Sequence, residues 1–256
     1  MKGSSTSISL SFILAGILAS AVFASLPGNL QGTVEELEAS YGGEWAAGII
    51  DLATGETVTA EGGRQFQMET PHLVITACGI ELSNRGVMAL DSMIARNERF
   101  WEKLHWSQQG GLGTCQSVIY SIGYEQIGNW LETSGCAGTV VEGVQVDFPN
   151  APVFDPNYTT AEDALDFLQV YYDNLGNPYV AGIGTNPPLS DRNRETLGLD
   201  GDIHGWIDQG THWRHLFVVV DYPDGHDYGV VLLNEDLESL HDADRGFDAI
   251  FELLSD

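Results

Sequence analysis

Hydrophobic spacing changes along the chain, and each change marks an element. Residues 34–41 (VEELEASY) carry helical spacing, with carboxylates early where the helix dipole favours them. Gly42-Gly43 ends that helix. Residues 45–51 and 56–60 read as two strands, and Ala53-Thr54-Gly55 between them predicts a hairpin. Residues 71–82 form a helix that is apolar nearly all round, so it is expected in the core, with Pro71 suited to its first turn. Further helices are expected over 98–104, 114–120, 124–133 and 160–172, the last opened by Thr159-Thr160-Ala161-Glu162-Asp163, which resembles a capping box. Residues 176–188, rich in Gly, Pro and Asn, read as loop. Residues 213–221 and 228–234 read as strands joined by the turn Tyr222-Pro223-Asp224-Gly225. Residues 242–254 close the chain as an amphipathic helix, with Phe247, Ile250, Phe251 and Leu254 on one face.

The order helix, hairpin, helices, hairpin, helix predicts an α+β fold. An antiparallel sheet, flanked by the first and last helices, takes residues 25–82 and 195–256, and an all-helical subdomain over 83–194 is inserted into it. Residues 1–24 read as an export signal. Lys2 precedes the apolar stretch from Ile8 to Phe23, and a cut after Ala24 is allowed. An uncleaved anchor is the alternative, since that run is near the lower limit for spanning a bilayer. Either outcome places the protein outside the cytoplasm.

Charge narrows the partners. Ten Lys and Arg stand against 37 Asp and Glu, for a formal charge of −27, which disfavours nucleic acid and anionic membrane surfaces. Only Lys2 and Lys103 are lysines, and such a surface suits solubility in high salt. The three cysteines, Cys78, Cys115 and Cys136, predict one disulfide and one free thiol in an oxidising compartment, with three connectivities open.

Four stretches carry a likeness to a known family. They are Gly48 to Glu56 (GIIDLATGE); Phe66 through Leu82 followed by Gly86-Val87-Met88-Ala89-Leu90-Asp91; Ile119-Tyr120-Ser121 leading into Asn129-Trp130-Leu131; and Ile207 to Val220 with Pro223-Asp224-Gly225. In their order and spacing they resemble the opening hairpin, nucleophile helix, S-D-N region and K-[ST]-G strand of the class A β-lactamase and penicillin-binding-protein superfamily of serine hydrolases. The resemblance implies the same fold. It also implies a Cys78–Cys115 bridge, since some members link the corresponding helices.

The resemblance does not extend to the chemistry. Where the family has S-x-x-K, this chain has Thr70-Pro71-His72-Leu73. S-D-N becomes Ser121-Ile122-Gly123, and K-[ST]-G becomes Asp208-Gln209-Gly210. Asp147 and Asp155 are the only carboxylates over 147–158, where the family carries its deacylating glutamate. A hydroxyl attacks only if something takes its proton, and Leu73 cannot. Losing a nucleophile or its base costs roughly a million-fold in comparable serine hydrolases. Asp208 in place of lysine repels the carboxylate of a family substrate by about 4 kcal/mol at contact, unless Arg214 or a protonated His212 offsets it. The family's oxyanion hole uses backbone N–H groups, here at Thr70 and Thr211, and side-chain changes leave those donors in place.

These losses predict a secreted, inactive relative that binds a small molecule or a protein at the former cleft, around Thr70, Ser121, Asp208 and Thr211, with no cofactor and no metal. The alternative is an atypical hydrolase with Thr70 or Ser121 as nucleophile, acting on β-lactam-like, peptide or ester substrates. Other readings are weaker. His72 is expected as a packed histidine. Asp208, His212 and His215 invite a metal, but on a single strand positions three apart face opposite sides. Cys115 and His215 follow a cysteine-protease order, yet Cys115 lacks the usual flanking residues. Trp101, Trp106, Trp130, Trp206 and Trp213 are expected in the core or at its edge rather than on a stacking surface.

Overall fold

The apolar runs at Trp45 and Gly229 become neighbours at the centre of one sheet that is covered on both faces. This computed structural model describes residues 26–95, 98–108, 112–144, 154–183, 204–221 and 227–255. The expected export signal, the turn over 222–225, Asp147, residues 184–188 and the Trp106 side chain lie outside the described residues.

The chain opens with a helix over 26–41 (α1), then strands β1 (Glu44–Asp51), β2 (Thr57–Ala60) and β3 (Phe66–Met68). Helix α2 (His72–Asn84) follows, then the short strands β4 (Met93–Ala95) and β5 (Glu98–Arg99). Helices α3 (Phe100–Gln108), α4 (Leu112–Ile122) and α5 (Tyr124–Ser134) lead to β6 (Asn157–Thr159), α6 (Ala161–Asp173) and α7 (Pro178–Ala181). Strands β7 (His204–Gln209), β8 (Arg214–Asp221) and β9 (Asp227–Glu235) precede the last helix, α8 (Leu240–Ser255). The main sheet is antiparallel with order β2-β1-β9-β8-β7, so the first and last parts of the chain pair centrally, Gly48 opposite Val231.

Successive residues of a strand face opposite sides. Trp45, Ala47, Ile49, Leu216, Val218, Val230 and Leu232 join α1 and α8 in one core. Ala46, Ile50, Phe217, Val219, Val231 and Leu233 join α2 to α6 in the other. A sheet buried on both faces reads as unbroken apolar runs rather than as alternation. For the same reason α2 shows no polar face: ten of its residues are buried. The fold is therefore α+β, as the order of elements predicted.

The structure differs from the pattern-based reading at several places: strand β3 was not expected, and the segment over 83–194, expected to be all-helical, also carries the short strands β4, β5 and β6, each too brief to leave an alternating pattern. The expected loop over 176–188 holds the one-turn helix α7, because Asn177 accepts the Tyr179 N–H at 3.0 Å and Pro178 fits the first turn. Strand β7 was not marked by periodicity, since His204, Asp208 and Gln209 break its apolar run. No disulfide joins Cys78 and Cys115; all three cysteines are buried free thiols. Burial pushes Cys78 and Cys136 up to about 12, and Cys115 upward as well, so the thiolate that disulfide exchange requires is suppressed in the folded chain.

The α6 start is half a capping box. The Thr160 hydroxyl oxygen accepts the Asp163 N–H at 3.1 Å, but the Asp163 carboxylate accepts from the Thr139 hydroxyl at 2.7 Å instead of returning to the helix start. Thr160→Ala is expected to lower stability by about 1 kcal/mol, read as a shift in the urea midpoint at constant slope.

Candidate functional site

The site forms where β3 runs into α2 beside the turn between β7 and β8. Side chains from the main sheet hold β3 in place. The Gln67 N–H donates to the Glu235 carboxylate, and the Gln67 carbonyl accepts from His215 Nε2 at 2.7 Å. His215 Nδ1 accepts the Asn234 N–H at 3.2 Å. These partners assign the proton to Nε2 and leave a neutral ring, and burial lowers the pKa of His215 in the same sense. His215 therefore ties β3 to the sheet.

This anchoring delivers Glu69 and Thr70 to Asp208. The Asp208 side chain is 3% exposed. One of its oxygens, Oδ1, accepts both the Thr70 N–H and the Thr70 hydroxyl, each at 2.8 Å. The other, Oδ2, accepts the Glu69 N–H at 2.9 Å and the Trp213 Nε1–H at 3.2 Å. Four donors thus converge on one buried carboxylate, which satisfies the groups that burial would otherwise leave unpaired.

This geometry corrects two expectations. Thr70 does have a proton acceptor: Asp208, contributed from β7 rather than from the nucleophile helix. And the Thr70 N–H is not a vacant oxyanion donor, because Asp208 already holds it. The Asp208 charge also faces Thr70 and not open cleft. Neither cation named as an offset makes the bonds that hold it. Arg214 reaches Asp244 at 2.7 Å and lies over the Phe247 ring, while His212 is exposed with Nδ1 3.4 Å from the Leu237 carbonyl.

The other motif positions disperse. Leu73 is core, 3% exposed. The Ser121 hydroxyl donates to the Ser117 carbonyl of its own helix at 2.8 Å, an interaction that leaves its proton occupied. Gly123 stands just before α5 with φ 91, a backbone state that favours glycine, so the position matched to the third S-D-N residue is a helix boundary here. Gln209 is exposed. The Trp213 ring lies where a side chain on Gly210 would stand, with an added Cβ only 2.2 Å from Cζ2. Thr211 is exposed and lines the cleft described below.

The metal and cysteine readings meet the same geometry. Asp208 and His215 are not on one strand; they face each other across the β7–β8 pair. Both His215 nitrogens are committed to backbone groups, which leaves Cys115 without that base. Among the described residues no group of three or more His, Cys, Asp and Glu is placed to hold a metal. His72 is packed as expected, with an unpartnered Nδ1, and burial lowers its pKa to about 4 against the opposing field of Asp208. Trp101 packs on Tyr179, Trp130 on Phe167 and Trp206 on Tyr171, whereas Trp213 stacks beside His215 at the site.

Beside the Thr70–Asp208 assembly opens a cleft of ≈ 300 Å³. Its walls include Gln67, Glu69, Phe154, Asp155, Thr211 and Trp213; Thr70, Ser121 and Asp208 do not line it. Asn157 fixes one wall: its side-chain oxygen accepts the N–H groups of Glu142 and Gly143, and its Nδ2 donates to the Gly143 carbonyl. Glu69, Phe154 and Asn157 had no motif to mark them, since they matter only once β6 has paired with β3.

No protein-family model matches the chain, and no curated protein does. Solved structures do. A β-lactamase from Sphaerobacter thermophilus superposes with a TM-score of 0.70 at 16% identity, over 89% of this chain and 95% of its own. An ancestral class A β-lactamase (GNCA) reaches a TM-score of 0.72 at 18% identity, over 88% of this chain and 98% of its own. A β-lactamase from Xanthomonas campestris gives 0.69 at 16% identity, over 88% and 96%. At such identities the likeness concerns the backbone arrangement, and on that ground this chain has the fold of the class A β-lactamases.

Proposed function

We propose that this protein is an exported, catalytically inactive β-lactamase-like protein that works by binding at the cleft beside Thr70. One observation carries the reading: the buried Asp208 carboxylate takes both the hydroxyl and the amide N–H of Thr70. An acyl-transfer site needs such N–H donors free to hold the developing oxyanion. Here a fixed negative charge occupies the place where the oxyanion would grow. Thr70 is also buried, 8% exposed, so an electrophile in the cleft does not meet it. Export is proposed from the composition of residues 1–24.

The 2.8 Å contact also favours a second reading, a threonine hydrolase with Asp208 as general base. Nitrocefin turnover and intact mass after incubation with benzylpenicillin or a fluorophosphonate separate the two. The expected result is no adduct and no turnover above a Thr70→Ala variant. A stoichiometric adduct on Thr70 or Ser121 would establish the hydrolase instead.

A further inference from the structure

The cleft has the size of a small-ligand site, and its walls are of an uncommon kind. Phe154 and Trp213 supply aromatic surface, and Glu69 and Asp155 supply carboxylates, both on exposed residues. Among the described residues that line it there is no Lys, Arg or His. Asp208 stands directly behind the wall, bonded to the Glu69 N–H and to the Trp213 indole. Among the described residues of the lining, nothing offsets this negative potential. An anion entering it meets two carboxylates with a third behind them, and the nearby Thr70 N–H is already bonded to Asp208.

A cation finds the reverse. Carboxylates accept its N–H groups through charge-assisted bonds, and aromatic faces attract it through their quadrupole. We infer that the cleft takes a small organic cation, an ammonium or a guanidinium, held by Glu69 and Asp155 against Trp213 and Phe154. The inference rests on the binding role proposed above and names its ligand class. Partial burial and the Asp208 field push the Glu69 carboxyl upward, and a cation bound beside it would act in the opposite direction.

The whole exported chain is titrated by calorimetry at constant ionic strength with agmatine, choline, benzylpenicillin and N-acetylglucosamine. The Trp213 indole N–H is followed by NMR. Agmatine or choline is expected to bind saturably and to shift that signal. Glu69→Gln with Asp155→Asn is expected to weaken binding by about tenfold or more, the loss of charge-assisted bonds. Glu36→Gln with Glu125→Gln, on exposed helical faces, is the control for diffuse attraction to a chain of charge −27 and is expected to change nothing. Absence of saturable cation binding up to about 10 mM, which corresponds to an affinity too weak to be a built site, overturns the inference. So does equal weakening by the control pair. If benzylpenicillin or N-acetylglucosamine binds and the cations do not, the cleft still binds ligands and only the cation assignment falls. If the protein hydrolyses the penicillin or is acylated by it, the inactive reading falls whatever the cations do.

Discussion

Asp208→Asn is expected to destabilise the protein by about 3 kcal/mol, because a buried four-acceptor carboxylate becomes an amide with one acceptor oxygen. If the amide oxygen faces Thr70, it still accepts the N–H and the hydroxyl there. The amide NH2 then confronts the Glu69 N–H and the Trp213 indole N–H, donor against donor. Flipping the amide only moves the conflict to Thr70. Lysine, the residue of the resembled motif, would be worse, since an ammonium offers no acceptor at all. For a chain of this length the change corresponds to a fall of about 10 °C in Tm. Chemical denaturation of the wild type and the variant checks it, and an unchanged midpoint would show that the four contacts hold nothing together.

Acid should expose the second effect, through His72. Its pKa is lowered to about 4 in the folded chain from an ordinary 6.5, by burial. The folded state thus binds fewer protons than the unfolded one between those values. The stability from a neutral His72 is complete above pH 6.5 and is lost as the pH falls towards 4. At pH 5 the loss is about 2 kcal/mol, from the difference between the two pKa values. His215 acts in the same direction. The raised carboxyls of Asp163, Asp166 and Glu235 act in the opposite one, so the total curve mixes signs. A His72→Leu variant isolates the first contribution. Between pH 7 and pH 5 the wild type should lose about 2 kcal/mol more than the variant. Parallel stability curves would mean that the His72 ring reaches water or a partner in the folded protein.

Much of the architecture was legible because burial leaves periodic traces. The helix spacing of 34–41 and 242–254 marked α1 and α8, and the run VITACGI marked α2 as a core helix. The Ala53-Thr54-Gly55 turn set the β1–β2 hairpin. The cleft was less legible. Asp208 stood out as a charge reversal, but its partners lie 138 and 139 positions away at Thr70 and Glu69. Its bond to Thr70 therefore depended on β7 folding alongside β8 and on His215 holding β3. Reading Asp208 and His215 as one strand hid that they face each other.

The order of residues alone determined the α+β layout, the net negative charge and the absence, at the positions that resemble three motifs, of their serine, lysine and asparagine, since each of these is local or additive along the chain. Only the tertiary structure decided what replaced them: a carboxylate spent internally on Thr70, three thiols left apart in the core, and an acidic, aromatic cleft assembled from segments far apart in sequence. The physical reason is that hydrogen bonds and fields act through space over a few ångströms, and chain separation carries no record of which groups burial will bring that close.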